Sequence, residues 1–248
     1  GYLIHNRSFA SKKLNNIYLP FLVDNLSSFI SGYRKYFKGM SVTMPFKEQV
    51  IPLLDEIDRT AEKIGAVNTL QIREGKLFGC NTDCSGAVKA LEEKTDLKGK
   101  KVLMIGAGGV ARAIGFGIME KGAGVYIFDV DTQKADALAA DLRCRTSSLE
   151  SIGSDLDILI NCSPVGMHPH IDKTPFSKEK LKKEMIVFDA VYNPLKTRLL
   201  KEAEDTGCVT IEGIELFVNQ AVDQFQLWTG EKAPKELMKE IVLDKLQS

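Results

Sequence analysis

Gly106, Gly108 and Gly109, with Asp129 about twenty residues further on, have the types and spacing of a dinucleotide site. Gly106 permits a tight turn, and Gly108 lets the backbone approach a pyrophosphate. Ala111, at the third small position, lets a helix pack close to a strand, and Ala107 and Val110 complete the loop. A helix starting here offers unpaired N–H groups and the positive end of its dipole to phosphates. The same glycines also read as a packing turn in a doubly wound sheet. Asp129 bears on the choice of nucleotide: a carboxylate there accepts hydrogen bonds from the ribose hydroxyls of NAD and repels the extra phosphate of NADP. Asp131 adds a second negative charge, Val130 stands where an arginine would clamp a phosphate, and Lys134 is the only nearby cation. NAD is therefore the expected cofactor, ahead of NADP. Asp131-Thr132 reads as a helix cap as well, which does not compete.

Lys47 follows Val42-Thr43-Met44-Pro45-Phe46, a strand end and a proline-fixed turn, and Asp83 closes Asn81-Thr82-Asp83 before a helical pattern. Taken singly, Lys47 reads as a solvated lysine and Asp83 as an N-cap. Facing each other across a cleft, the two could pass a proton to or from a reacting hydroxyl while a nicotinamide takes or gives hydride.

The elements that must position these residues alternate in type, which predicts an α/β fold. The opening Gly1-Tyr2-Leu3-Ile4 reads as the end of a strand or a strand-to-loop passage, and residues 11–26 as an amphipathic segment. Residues 40–44 are strand-like, 48–58 and 60–66 helical, and 68–83 a hairpin turning at Glu74-Gly75, with a helix leaving it. Leu97-Lys98-Gly99-Lys100 reads as an exposed junction. Beyond it a strand, the glycine turn, a helix and a second strand lead to Asp129, and further helices and strands follow to residue 213. The expected layout is an N-terminal substrate domain of residues 1–92 plus 218–248 and a Rossmann-like dinucleotide domain of residues 93–217. Two C-terminal helices return to the first domain and leave a cleft between the two.

Lys plus Arg and Asp plus Glu number 33 each in 248 residues, so the formal charge is zero. No basic face points to nucleic acid or an anionic membrane, and no apolar run reaches the ~18 residues of a membrane span. The start carries no signal-peptide pattern. The five cysteines are scattered, with no second pair or histidine beside Cys80 and Cys84 to complete a zinc site, so no metal is expected. Free thiols fit a reducing cytoplasm. With no initiator methionine, the chain reads as a domain of a longer protein or one whose first residues are missing.

Seven ordered motifs resemble those of the shikimate dehydrogenases: VTMPFK at 42–47, GAVNT at 65–69, GCNTDCSG at 79–86, GAGGVARA at 106–113, INCSPVGM at 160–167, FDAVYNPLKTRLL at 188–200 and GIELFVNQAVDQFQLWTG at 213–230. The resemblance implies that Lys47 donates the proton when a 3-keto group is reduced, and that Asp83 binds the adjacent hydroxyl and orients or tunes the lysine. It implies that Asn6, Ser8, Thr43, Asn68, Tyr192 and Gln220 hold the substrate's carboxylate and hydroxyls, and that Ser163, Val191 and Gly213 join the cofactor loop. Without it, Asn68 reads as a turn residue, Gln220 as a solvated helix position and Tyr192 as core with a surface hydroxyl. Where the family has HSxSP the chain has His5-Asn6-Arg7-Ser8-Phe9. It also has Ser41 for an asparagine, Ser163-Pro164 for TS, Leu216-Phe217 for ML, and Asp129-Val130-Asp131 for the NADP-type NRT. These departures point to an NAD-using enzyme that accepts quinate as well as shikimate, with Asn6 relaxing the choice, working as a monomer or homodimer on a small molecule. The competing readings are a non-catalytic sensor of quinate use, and a two-domain dehydrogenase of the methylene-tetrahydrofolate type.

Overall fold

The structure, a computed structural model, describes residues 1–152 and 155–247. It has two compact units, one of Gly1–Ser85 and Val218–Lys245, the other of Gly86–Phe217 and Leu246–Ser248. The first division falls after Ser85, where the sequence suggests residue 92.

The first unit opens with a helix, α1 (Tyr2–Ser11), in place of the expected strand end. Ile4, His5, Ser8 and Phe9 share its buried face, an i, i+1, i+4, i+5 pattern that a helix alone can satisfy. The amphipathic segment expected at 11–26 does not form. Residues 12–25 run without regular structure, interrupted by Asn15-Asn16 and Pro20, and α2 (Leu26–Tyr33) starts only after Asn25 caps it by accepting from Ser28 N. There follow β1 (Gly39–Ser41), α3 (Phe46–Gln49), β2 (Glu56–Ile57), α4 (Arg59–Ile64), β3 (Thr69–Arg73), β4 (Lys76–Cys80) and α5 (Thr82–Glu92). The helix expected over 48–58 breaks up, with Pro52 in a 3-10 turn and Asp55 accepting from Leu77 N at 2.7 Å. Asp58 caps α4, and Gly65 ends it in the left-handed region. The sheet order is β1-β3-β4-β2, with β3 and β4 joined by the Glu74-Gly75 turn, both residues at positive φ. Ile30, Val42, Val50, Ala61, Val67, Leu70 and Leu77 form the core beneath it.

The second unit holds β5 (Lys101–Ile105), α6 (Gly109–Glu120), β6 (Gly124–Phe128), α7 (Thr132–Leu142), β7 (Arg145–Thr146), β8 (Ile158–Asn161), β9 (Ile186–Asp189), α8 (Arg198–Asp205) and β10 (Val209–Ile211). Its six strands are all parallel in the order β10-β9-β8-β5-β6-β7, the doubly wound arrangement whose strand order reverses between β5 and β8. Both faces are covered, so side chains alternate between two cores. Val102, Met104, Val125, Ile127, Ile158 and Ile160 pack with Ala111, Ile114 and Ile118 of α6. Leu103, Ile105, Leu159 and Val187 pack with Leu199, Leu200 and Ala203 of α8. Leu97, expected in an exposed junction, is buried in the first of these cores.

The chain closes with α9 (Gly213–Thr229) and α10 (Lys235–Gln247), of which residues 218–245 belong to the first unit. There Phe225 stacks on Phe9 with centroids 5.4 Å apart. Trp228 donates its indole N–H to Leu70 O at 2.9 Å and lies over Gly39, where a Cβ would come within 2.1 Å of Nε1. No helix among the described residues is long and apolar enough to cross a membrane.

Candidate active site and nucleotide-binding loop

Lys47 and Asp83 meet within the first unit. Lys47 Nζ donates to Asp83 Oδ2 at 2.7 Å, with the two side chains 17% and 13% exposed. Lys47 lies on the short helix α3, and its carbonyl accepts from Val67 N at 2.8 Å, which ties the lysine to the segment carrying Asn68. Asp83 lies in the first turn of α5 without capping it. Asn81 does that, accepting from Asp83 N at 3.1 Å and Cys84 N at 3.2 Å. The two-residue shift of the cap leaves the Asp83 carboxylate to the lysine.

Beside the pair lies a buried polar set. Asn68 Oδ1 accepts from Thr82 N (2.8 Å) and Thr69 Oγ1 (2.7 Å), and Asn68 Nδ2 donates to Thr82 Oγ1 (3.1 Å). Thr69 Oγ1 accepts from Gln224 Nε2 at 2.9 Å, and Gln224 Oε1 accepts from Ser41 Oγ at 3.1 Å. Asn68 is thus no simple turn residue. Thr69, Thr82 and Gln224 lie within the resembling motifs, but the resemblance gives them no role; the signal for Gln224 is that it follows Gln220 by four residues on one helical face. Gln220 is half-buried on α9, and Thr43 is exposed between β1 and α3.

Asn6 and Ser8 are not presented as the resemblance implies. Both lie on α1. Asn6 donates through Nδ2 to Tyr18 O (2.9 Å) and accepts through Oδ1 from Tyr18 N (2.7 Å), so both ends of its amide hold the chain at residue 18. Ser8 is buried, with its hydroxyl donating to Ile4 O at 2.6 Å. His5, near both on the same helix, is buried against Tyr18 and Trp228 with ring centroids 4.9 and 5.1 Å away. Burial pushes its imidazole down to about 4, against a hydrogen bond with Gln224 that favours the charged form.

In the second unit the glycine loop joins β5 to α6. Gly106 sits at φ +107°, and a Cβ there would lie 2.9 Å from Cys162 C and Ser163 N, so the loop touches the segment after β8 at the point where the strand order reverses. Gly108 and Gly109 differ in that a Cβ on either would meet no protein atom within 4 Å. Packing does not demand glycine there; the missing side chains leave a cradle over the N-terminus of α6, which suits a pyrophosphate. Ala111 is buried against the strand, and Val110 and Ala107 are half-buried.

Ser163 donates from N (3.0 Å) and Oγ (2.6 Å) to Asn161 Oδ1, and Asn161 Nδ2 donates to Asp189 Oδ1 at 3.0 Å. Asp189 also accepts from Val191 N (3.0 Å) and Thr197 Oγ1 (2.6 Å). This buried carboxylate braces the loops after β8 and β9, and burial pushes it up to about 6 despite those donors. Gly213 is glycine for packing, since a Cβ would lie 2.5 Å from Val191 O. Tyr192 belongs to this unit and packs its ring on Phe217, centroids 5.0 Å apart.

Over residues 2–70 the chain matches the family described as the shikimate dehydrogenase substrate binding domain, and over residues 213–243 the shikimate 5'-dehydrogenase C-terminal domain. It is 41% identical over 252 residues to a shikimate dehydrogenase (NADP(+)) of Methanothermobacter thermautotrophicus, covering 96% of this chain and 89% of that protein. It is also 41% identical over 261 residues to the chloroplastic bifunctional 3-dehydroquinate dehydratase/shikimate dehydrogenase of Arabidopsis thaliana. That match covers 97% of this chain, which spans only 43% of the plant protein. A shikimate dehydrogenase solved in complex with NADP+ has the same fold, with a TM-score of 0.94 and 38% identity, covering 100% of this chain and 91% of that one.

NADP in the archaeal relative's name and in the solved complex overturns the expectation of NAD drawn from Asp129. The physical reason lies in the bonds of that carboxylate. Its Oδ2 accepts from Ala107 N at 2.7 Å and its Oδ1 from Asp131 N at 2.9 Å, so it braces the glycine turn from within. Asp131 is likewise engaged, accepting from Lys134 N as the cap of α7, while Val130 is 91% exposed. The methylene-tetrahydrofolate alternative falls with the same comparisons. The chain belongs to the shikimate dehydrogenase family of oxidoreductases.

Proposed function

We propose that this chain interconverts shikimate and 3-dehydroshikimate with NADP, using Lys47 and Asp83 as catalytic residues. The observation that carries this reading is the 2.7 Å pair of Lys47 and Asp83 beside the buried polar set around Asn68. The bound nucleotide supplies or takes the hydride at C3. Lys47 donates a proton to the C3 oxygen as it gains charge in reduction and takes it back in oxidation. Asp83 holds the ammonium through Oδ2 and offers Oδ1 to a neighbouring ring hydroxyl. Asn68 spends one Nδ2 hydrogen on Thr82 and has the other for the substrate. Thr43 and Gln220, both in the first unit, complete the hold on carboxylate and hydroxyls. Gly106 to Val110 and the first turn of α6 hold the pyrophosphate.

A sensor has no use for a proton-transfer pair, so Lys47 with Asp83 favours an enzyme. Asn6, expected to relax the choice toward quinate, has its amide occupied by Tyr18, so shikimate is the substrate this reading supports. The test is steady-state turnover of shikimate and of quinate, each with NADP and with NAD, in wild type and Lys47→Ala. Turnover of shikimate with NADP, with kcat lowered ~10²–10⁴-fold in Lys47→Ala, is expected. A folded, nucleotide-binding chain without turnover would defeat the proposal.

A further inference from the structure

The hydrogen bonds that reach Asn68 run in one direction. Ser41 Oγ donates to Gln224 Oε1, Gln224 Nε2 to Thr69 Oγ1, and Thr69 Oγ1 to Asn68 Oδ1. The far end is fixed by a backbone donor, because Thr82 N–H gives to the same Oδ1, which must therefore be the amide oxygen. Gln224 is 3% exposed and comes from α9, while Thr69 starts β3, 155 residues away in sequence. A half-turn of the Asn68 amide would set its NH2 group against the Thr82 N–H and the Thr69 hydroxyl, leaving buried donors without acceptors.

We propose that Gln224 is a positioning residue for the substrate: acting through Thr69, it locks the Asn68 amide so that the remaining Nδ2 hydrogen points to a ring hydroxyl. This rests on the reading of Asn68 as a substrate-binding residue. Gln224 itself touches no substrate, so its effect appears in how well the ring is held.

The test compares Gln224→Glu, Thr69→Val and Asn68→Ala in the full chain, reading KM for shikimate, kcat, and the NADP dissociation constant by fluorescence titration. In Gln224→Glu the ionised side chain keeps the shape of glutamine but has no donor, so the Thr69 hydroxyl turns to it and Asn68 loses one partner. Gln224→Glu and Thr69→Val are each expected to raise KM about 5- to 10-fold, with kcat within about twofold and NADP binding unchanged. In Gln224→Glu the KM returns toward wild type as the pH is lowered and the protonated acid regains a donor. A fall in kcat at constant KM would mark a merely structural role and overturn the proposal. If Asn68→Ala raises KM while the other two variants do not, the positioning role alone fails. If Asn68→Ala leaves KM unchanged, the reading of Asn68 fails and takes this proposal with it.

Discussion

Asn81 accepts the backbone N–H groups of Asp83 and Cys84 through one oxygen, and its Nδ2 donates to Ala66 O at 2.9 Å, so it fastens α5 to the segment leading to Asn68. Because Asn81 fills the cap, Asp83 keeps its carboxylate for Lys47. Asn81→Ala should cost about 1 kcal/mol of stability for the lost cap. It should also lower kcat more than the fall in folded fraction explains, since Asp83 then becomes the nearest acceptor for the exposed N–H groups. Thermal unfolding and active-site-normalised kcat on one preparation check this, and a drop in Tm with kcat intact would show that the cap has no hold on the pair.

Asp129 offers a second comparison. A ribose-binding carboxylate, once neutralised, would shift the balance between the two nucleotides. A brace for the glycine turn would weaken both alike. Asp129→Asn removes one of the two acceptors used by Ala107 N and Asp131 N. It should therefore raise the dissociation constants of NAD and NADP together, by about 10- to 150-fold for a lost hydrogen bond to a charged group, with their ratio unchanged. Isothermal titration with each nucleotide measures this.

Asn6 leads to a prediction opposite to the one the family motif suggests. Asn6→Ser removes the two bonds to Tyr18 and should lower stability by about 1–3 kcal/mol. The ratio of shikimate to quinate turnover should stay as it is in wild type. Urea unfolding and paired substrate assays settle both halves.

His5 and Asp189 give opposed pH dependences. His5, near 4 when folded and ordinarily near 6.5, takes up its proton more readily in the unfolded chain, so its stabilising share is whole above ~6.5 and is lost as the pH falls toward 4. Asp189, raised to about 6, holds its proton better when folded, so its share is whole below ~4 and is lost as the pH rises toward 6. Each shift corresponds to about 3 kcal/mol. Asp189→Asn should therefore lose stability relative to wild type as the pH drops from 6 to 4, and His5→Phe should gain over the same interval. Unfolding midpoints at a series of pH values measure both slopes.

The glycine loop and the hairpin turn were legible because positive φ and close approach leave almost no choice of residue: Gly106 and Gly75 can be little else. Lys47 and Asp83 were visible as types in a motif, and the structure supplied their distance. Asp129 shows why a charge alone misleads, since nothing in the sequence reveals that two neighbouring backbone N–H groups will consume it. The choice between Asn81 and Asp83 as the cap of α5 is equally open in sequence, because both side chains suit the position. Gly1-Tyr2-Leu3-Ile4 reads as a strand end and not as the start of α1 because the apolar pattern of that helix is short and broken by buried His5 and Ser8. Gln224 stayed hidden because its meaning depends on a threonine far along the chain.

Trp228 is the chain's single tryptophan, and it sits in the first unit, hydrogen-bonded to β3 and flanked by the rings of His5 and Tyr18. Intrinsic emission excited at the indole band is therefore a private optical channel for that unit, while the other contributes only tyrosine. Emission and far-ultraviolet circular dichroism followed together through a denaturant series will superimpose if the chain unfolds as one cooperative block. The two traces will separate if the units melt in turn, with no label needed to tell which goes first.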